Sequence, residues 1–376
     1  MFIELHMLQN FVPSNLNRDD TGSPKDCEFG GHRRARISSQ ALKRAIRNEP
    51  IFAATTEVPV GHRSKWMMRP IAERLVAAGK TPDAAETTTM AFVAAYAAKM
   101  DGKEKRKTSV LIYFSEAEID QIASVLLDNW GAALDEAQGG KQKVISDLAK
   151  EVAKQMRNRT SAPDIALFGR MLAEKPDLNI DAACQVSHAI STHRVSMDMD
   201  YYTAVDELLQ DEEAGAGMVG FTGFNSACFY RYARIDWELL VANLSGNITL
   251  ARRTVEGFLR AAINALPTGK QNAFAAQNPT NFALAVVRAD GKSWNLANAF
   301  ETPVRPGRDV GQIGASITAL DAYWRALVTF YDDAQIKAVA AHTLQHADAL
   351  DALRPALRPQ MSAWLAAVID ALPQEA

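Results

Sequence analysis

The chain has 376 residues, 48% of them hydrophobic and 23% charged, and its formal net charge is −3. This composition is typical of a globular protein of two or three domains, and it excludes a polycation that binds nucleic acid by overall charge. Three distant cysteines exclude a disulfide framework and a paired-cysteine zinc site, and the absence of a basic leader and of a long apolar run favours a cytoplasmic protein without a membrane span.

The chain begins with an apolar-rich segment, residues 2–8, in which polar Glu4 and His6 interrupt the apolar residues. This pattern predicts a first strand. The polar, turn-rich residues 10–24 follow and include Asp19 and Asp20 beside Arg18. Paired acids could serve acid–base or metal chemistry, but Asn and Asp in loops commonly bond their own backbone, so we expect a structural loop.

Residues 29–47 hold the most informative pattern of the sequence. A Gly30–Gly31 turn leads into a basic strand with Arg33, Arg34 and Arg36, and Ser38–Ser39 then predicts the start of a helix. On that helix the polar side chains share one face by their spacing: Gln40, Lys43, Arg44 and Arg47. A helix with a buried face, a cationic face and an open N-terminus is suited to holding a polyanion.

Charge is distributed unevenly along the chain. Residues 25–47 contain seven Lys or Arg against two acids, whereas residues 195–230 contain seven acids and no Lys or Arg. Residues 56–176 are rich in Ala and predict a helical insertion, with helices near 70–79, 82–99, 116–131 and 141–156. The last of these carries Lys141 and Lys143 in a second positive surface.

A short motif, Gly169–Arg170–Met171, ends the insertion. Glycine permits close backbone approach, arginine can clamp a phosphate, and an exposed methionine can wedge against a base. His188 and His193 follow, and we expect satisfied polar groups there rather than a metal pair. Residues 196–225 form a long acidic excursion before a strand at 227–235, which predicts an extended hairpin, or thumb, carrying Tyr201, Tyr202 and Thr203.

The remaining segments predict a helix at 250–265, a strand at 282–288, a helix at 310–331 and two further Ala/Leu-rich helices at the end of the chain. Strands separated by helices, with a helical insertion, indicate an α+β fold. No nucleophile elbow, P-loop, dinucleotide fingerprint or zinc motif is present, so the sequence predicts recognition without catalytic residues, metal or cofactor.

Several motifs make the chain resemble the CasC family, the backbone subunits of the type I-E CRISPR surveillance complex, Cascade. They are NLNRDD at 15–20, FGGHRRARISSQALKRAIR at 29–47, GRM at 169–171, SHAISTH at 187–193, DYYTAVD at 200–206, FYRYA at 229–233, AAQNP at 275–279 and LANAF at 296–300. The resemblance spans most of residues 1–300 and is most specific in the N-terminal block.

The resemblance implies an RRM-like (ferredoxin-like) palm at 1–55 and 181–376, helical fingers at 56–180 and a β-hairpin thumb at 196–225. It implies that several copies polymerise along one CRISPR RNA, with target DNA pairing to the guide and other Cascade subunits as partners. The implied RNA-binding residues are Arg18, Lys25, Ser38, Gln40, Lys43, Arg44, Arg47, Arg170, Met171, Tyr201, Tyr202 and Thr203. Lys141 and Lys143 are the implied target-DNA contacts.

Two alternatives remain open at this stage. One is an RNA-cleaving backbone subunit of a type III-like complex, in which Asp19 or Asp20 would activate the cut. The other is a free-standing RNA-binding regulator. The acidic thumb carries a hypothesis of its own, that its acids meet a basic surface of the next subunit.

Overall fold

The computed structural model describes residues 1–97, 99–141, 143–205, 216–307, 310–332 and 334–374. The strands are β1 (Phe2–Ser14), β2 (Asp26–Phe29), β3 (His32–Ile37), β4 (His62–Ser64), β5 (Ile112–Phe114), β6 (Cys184–Val186), β7 (Ala189–Ser191), β8 (Asp198–Val205), β9 (Ala216–Asp236), β10 (Phe282–Arg288) and β11 (Ile336–Thr343).

The helices are α1 (Ser39–Asn48), α2 (Pro50–Thr56), α3 (Met68–Ala77), α4 (Pro82–Tyr96), α5 (Glu116–Asp128), α6 (Trp130–Ala137), α7 (Val144–Gln155), α8 (Pro163–Phe168), α9 (Trp237–Asn243), α10 (Ile248–Asn264), α11 (Gln271–Phe274), α12 (Gln312–Tyr331) and α13 (Met361–Ile369). Within the described residues, no helix combines the length and the apolar character needed to cross a bilayer.

The chain divides into two compact units. Unit 1 comprises Met1–Phe52, Val186–Arg234 and Phe258–Leu372, and unit 2 comprises Ala53–Gln185, Ile235–Gly257 and Pro373–Ala376. The predicted helical insertion, 56–180, thus falls within unit 2, which also takes residues 235–257 that the sequence placed in the second part of the palm.

Unit 1 is built on a sheet with the strand order β11-β10-β1-β9-β7-β3-β2. The pairs β1–β10, β10–β11, β7–β9, β3–β7 and β2–β3 are antiparallel. Alternate residues of β9 enter different core clusters, as the pleat of a strand requires. Tyr230 belongs to the buried cluster that includes Leu284 and Trp324, and Phe229 belongs to the cluster that includes Ile37 and Leu42. A mixed fold with an antiparallel sheet is therefore confirmed.

Strand β1 is buried along most of its length, including its polar residues. Glu4 and His6, the polar residues that interrupt its apolar sequence, both lie fully buried. Glu4 accepts a hydrogen bond from Arg288 Nε (3.2 Å) and another from the Trp294 amide (2.6 Å). His6 Nδ1 and the Tyr230 hydroxyl form a hydrogen bond (2.9 Å), and the same hydroxyl accepts from the Leu296 amide (2.9 Å). These partners compensate for the burial of polar groups.

The end of the chain corrects one prediction. The sequence predicted two Ala/Leu-rich helices after residue 331, but residues 336–343 form β11, which pairs antiparallel with β10 from Phe282↔Thr343 to Arg288↔Ile336. The open edge of the fully buried strand β10 outweighs the local helix propensity of alanine. One α-helix, α13, follows β11 and brings Trp364 into the core.

Unit 2 contains a helical core formed by α3 to α7, in which Ile71, Phe92, Ile119, Ile122 and Val152 are buried together. The sequence predicted four of these five helices, α3, α4, α5 and α7, within a few residues of their observed bounds, because each has apolar residues at helical spacing. It did not predict α6 as a separate helix. Unit 2 also contains a two-stranded antiparallel sheet, β4–β5.

Candidate nucleic-acid interface

A tight hairpin of β2 and β3 begins the site. Gly30 and Gly31 have φ values of +59° and +71°, in the left-handed region that favours glycine. A Cβ atom on Gly30 would lie 2.1 Å from the carbonyl oxygen of Glu301. Glycine is therefore required at position 30 both by its backbone angle and by the close approach of another segment.

Helix α1 follows β3 directly, and its first turn is fixed by three side chains. Ser38 Oγ accepts from the Ala41 amide (3.3 Å), His188 Nδ1 accepts from the Ser39 amide (2.9 Å), and Asn17 Oδ1 accepts from the Ser38 amide (2.8 Å). The predicted Ser38 cap is present, but two of the amides expected to face a phosphate already have protein partners.

His188 must keep Nδ1 unprotonated to accept from Ser39. Burial, together with the charges of Arg36 and Lys25, lowers the pKa of His188 and favours this neutral form. This histidine therefore has a structural hydrogen bond, which agrees with the prediction of a satisfied polar group. Its partner could not be predicted from the sequence, because 149 residues separate His188 from Ser39.

The two faces of α1 have different environments. Leu42 and Ile46 are buried, whereas Gln40 and Arg44 are exposed and Lys43 is half-buried. Arg47 is also half-buried, at the end of the same face. The helix thus presents cations away from the core at the spacing that the sequence predicted.

A cleft of about 570 Å³ lies beside α1, and two of the predicted RNA-binding residues line it. Arg18 and Arg44 both line it, together with the acids Asp19, Asp20 and Glu49. Lys25 lies in a neighbouring depression with Arg36, and the Lys25 carbonyl accepts from the Arg36 amide (2.9 Å). The structure therefore brings Arg18 and Arg44 together, and sets Lys25 beside Arg36.

The basic strand β3 does not act as one surface. Arg33 is exposed and pairs with Asp26 (2.9 Å), and Arg36 Nε donates to the Asp26 carbonyl (3.1 Å). Arg34 is fully buried and donates to the carbonyl oxygens of Ser191 (3.0 Å), Phe300 (2.7 Å) and Glu301 (3.0 Å). Burial lowers its pKa. The expectation that Arg34 belongs to a polyanion surface is wrong, because its guanidinium joins three backbone segments.

Asp19 organises the loop that carries Arg18. Its Oδ1 accepts from the Thr21 hydroxyl (2.8 Å), the Thr21 amide (2.9 Å) and the Ser23 amide (2.9 Å). The Thr21 hydroxyl bond and these amides lower the pKa of Asp19 and keep it ionised. Among the described residues, no group of three or more His, Cys, Asp or Glu is placed to hold a metal ion. The geometry of Asp19 is that of a loop-forming carboxylate.

The motif at residues 169–171 separates into two different environments in unit 2. The Arg170 side chain is buried: Nη1 bonds Glu118 Oε2 (2.8 Å) and the Tyr113 carbonyl (3.1 Å), and Nε bonds the Leu178 carbonyl (2.7 Å). The prediction of a phosphate contact by Arg170 is contradicted, because protein acceptors already occupy this guanidinium. Met171 is 85% exposed and is free to meet a ligand.

The predicted thumb is a two-stranded extension of unit 1. Strands β8 and β9 pair antiparallel, with Tyr201 opposite Phe221, Tyr202 opposite Gly220 and Thr203 opposite Val219. Its base is held by Asn15, whose Nδ2 donates to the carbonyls of Gly22 and Gly223 (2.9 Å each). The same side chain therefore ties the thumb to the loop that carries Arg18.

The two faces of the hairpin differ. Tyr201, Phe221 and Met199 share one face by the pairing register, and all three are exposed. The Tyr201 and Phe221 rings lie 5.3 Å apart. Asp198 and Asp200 fall on the other face. The sequence had singled out Tyr201, Tyr202 and Thr203 alone, since only the register brings Phe221 beside Tyr201.

Two of the seven acids counted in the thumb segment belong to the described residues. Asp198 and Asp200 are exposed. The other acids counted there, Asp206, Glu207, Asp211, Glu212 and Glu213, lie outside the described residues. Lys141 and Lys143 are exposed in the segment before α7 of unit 2.

Comparison with known proteins finds a matching family and similar solved chains. The profile of the CT1975-like protein family matches residues 3–365. One solved chain from a structure described as "CRISPR RNA-guided surveillance complex, pre-nicking" is 32% identical, with 99% of this chain and 100% of that chain covered and a TM-score of 0.86. Another, from a "CRISPR RNA-guided surveillance complex", is 27% identical over 99% and 100% of the chains, with a TM-score of 0.75.

No curated protein sequence gives a significant match. The family match covers nearly the whole chain, and the similarity to the solved surveillance-complex chains is equally complete. The family predicted from the sequence motifs is therefore confirmed. The chain belongs to the CT1975-like, or CasC-like, family of CRISPR proteins.

Proposed function

We propose that this protein is a CRISPR RNA-binding backbone subunit of a type I-E surveillance complex, Cascade, that acts in antiviral defence. Several copies would assemble along one guide RNA and display it for pairing with target DNA. In this proposal unit 1 is an RRM-like palm, unit 2 provides the fingers and the β8–β9 hairpin is the thumb. The similarity to chains of CRISPR RNA-guided complexes supports this role.

The observation that carries the proposal is that unit 1 holds cations and an exposed aromatic hairpin close to the same loop. Arg44 on α1 and Arg18 line one cleft, and Asn15 holds the base of an exposed aromatic hairpin to the loop that carries Arg18. Cations bind phosphates without reading sequence, and aromatic or methionine side chains press against any base. A guide must be accepted whatever its spacer sequence, and this combination meets that need.

Each residue then has a distinct part in the proposal. Arg18, Lys25, Lys43, Arg44 and Arg47 neutralise the guide backbone. Ser38 and Gln40 supply polar contacts at the start of α1. Met171, Tyr201, Tyr202 and Thr203 press against bases where the guide is displaced, and Lys141 with Lys143 contacts target DNA. Arg170 is left out of the RNA contacts, because its side chain bonds Glu118.

The test is the RNA affinity of the full chain as a function of salt. Lys43→Ala with Arg44→Ala should weaken binding to single-stranded RNA and make the slope of log K against log salt less steep by about 1.4, since each lost contact removes about 0.7. Lys292→Ala with Lys337→Ala, two exposed lysines elsewhere in unit 1, is the matched control and should leave the slope unchanged. An unaltered slope in the first variant would contradict the α1 contacts.

We also propose that the subunit is not a nuclease. The Asp19 carboxylate accepts hydrogen bonds from Thr21 and Ser23 of its own loop, and this structural role supports the proposal. Incubating the assembled complex with complementary RNA and a divalent metal should leave the RNA intact. Cuts at regular intervals that vanish with Asp20→Asn would instead establish the cleaving alternative.

A further inference from the structure

A basic loop in unit 2 stands apart from every contact considered so far. Residues 99–107, here called the basic loop, contain five cations (Lys99, Lys103, Lys105, Arg106 and Lys107) and two acids (Asp101 and Glu104). The loop joins α4 to the segment that leads into β5. Arg63 on β4 and Lys65 just after it add two more cations to the neighbouring chain segment.

Backbone hydrogen bonds hold this loop in shape. The Asp101 amide donates to the Lys107 carbonyl (2.7 Å), and the Ser109 amide donates to the Lys99 carbonyl (2.8 Å). Thr108 is buried and its amide donates to the Lys65 carbonyl (2.9 Å), which attaches the loop to the segment after β4. The cations are therefore presented from a closed, anchored loop.

Asp101, one of the two acids of the loop, bonds the loop's own backbone. Asp101 Oδ1 accepts from the amides of Lys103 (2.9 Å) and Glu104 (3.2 Å), and these bonds lower the pKa of Asp101. Arg106 pairs with Glu86 (2.6 Å). Lys103 and Lys105 are exposed and make no ion pair within the described part of the chain. Their ammonium groups are thus available to an external anion.

An exposed indole lies within the same patch. Trp66 is 42% exposed, and the Lys107 ammonium lies 4.9 Å from its ring centroid. Leu111, a few residues beyond the loop, is also exposed. Tryptophan is highly buried on average, whereas an exposed aromatic ring beside a lysine in a basic loop is an arrangement that can stack a base and hold phosphates of a single strand.

We propose that the basic loop and Trp66 form a second nucleic-acid site, which binds single strands independently of their sequence. Lys103 and Lys105 contact phosphates, and Trp66 stacks on a base. The site is distinct from the α1 cleft, because it is built from another unit of the chain. A DNA strand and an RNA strand offer the same chemistry here, so the experiment includes both.

The experiment uses the full chain carrying Lys43→Ala and Arg44→Ala, which weakens the α1 cleft and leaves the second site to dominate binding. Fluorescent 20-nucleotide strands of oligo-dT and oligo-U are titrated at several salt concentrations. Two further variants are compared in this background, Lys103→Ala with Lys105→Ala, and Trp66→Ala. Lys150→Ala with Lys154→Ala removes the same charge from two exposed positions elsewhere in unit 2 and is the control.

The two variants should leave different signatures. Loss of Lys103 and Lys105 should make the salt slope less steep by about 1.4, at about 0.7 per phosphate contact. Trp66→Ala should weaken affinity about tenfold with no change of slope, which is the effect of losing one stacked base. The control should match its parent. A preference for oligo-dT or for oligo-U identifies the strand that the site serves, and equal binding assigns it to both.

Crosslinking gives an independent readout that does not depend on variants. Strands containing 5-bromouracil, irradiated on the unmodified chain, should crosslink to Trp66. Unchanged affinity in both variants, or crosslinks confined to unit 1, would overturn the second site without touching the α1 proposal. Binding of an acidic peptide with no binding of either strand would overturn it in favour of a protein surface.

Discussion

Arg33 and Arg34 are adjacent on β3 but have opposite roles. The Arg33 side chain is 68% exposed and pairs with Asp26, whereas Arg34 is buried among three carbonyl oxygens that belong to residues 191, 300 and 301. Sequence shows only a run of arginines, because the carbonyls that decide the matter lie more than 150 residues away. The burial of Arg170 could not be predicted for the same reason, since its partner Glu118 lies 52 residues away in the sequence.

This contrast predicts unequal effects on stability. Arg34→Ala should lower the free energy of unfolding by about 3 kcal/mol, because it leaves buried carbonyls without donors. Arg33→Ala, the matched control on the same strand, should change it by no more than about 0.5 kcal/mol, since exposed ion pairs contribute little. Urea-induced unfolding measures both, and equal losses would contradict the structural role of Arg34.

His6 predicts an acid-sensitive unit 1. Burial lowers its pKa to about 3 from the ordinary 6.5, so the folded protein favours the neutral ring. Its contribution to stability is complete above about pH 6.5 and falls as the pH drops towards 3, by about 1.4 kcal/mol per pH unit. His6→Gln should remove that part of the slope between pH 6 and pH 4. Urea-induced unfolding at each pH measures the slope of stability against pH. An identical slope in the variant and its parent would refute the role of His6.

At the scale of elements, α1 could be predicted because its signals are local. Ser38 caps the helix, and the spacing of Leu42 and Ile46 against Gln40, Lys43, Arg44 and Arg47 separates a buried face from a polar one. Strand β11 could not be predicted in this way. Its Ala-rich residues favour a helix, and the edge of β10 that they pair with is distant in sequence.

The thumb hairpin was foreseeable as an excursion between strands, but its two faces depend on register. The exposed acids Asp198 and Asp200 lie away from the Tyr201–Phe221 face. Asp198→Lys with Asp200→Lys should therefore impair assembly on a guide more than it impairs the RNA affinity of the single subunit. The control is Asp348→Lys with Asp370→Lys, which changes two exposed acids elsewhere in unit 1. The size of the assembled complexes measures assembly, and an RNA titration measures the affinity of the single subunit. Unchanged assembly would refute the acidic contact.

At the scale of the whole molecule, the chain combines an antiparallel sheet unit with a helical unit inserted between its strands. The sequence predicted an Ala-rich helical insertion at 56–180 from the change in composition, and unit 2 contains that range together with residues 235–257. The grouping of residues 235–257 with unit 2 depends on packing, which composition does not show. The family motifs carried the functional prediction further than composition could.

The central claim is that several copies of this chain share one guide RNA. The most direct measurement is the native mass of the complex reconstituted on guides of increasing length. Each added increment of spacer should bring one further copy, so the mass should rise in steps of one 41.1 kDa subunit plus its RNA. A single copy at every guide length would contradict the account.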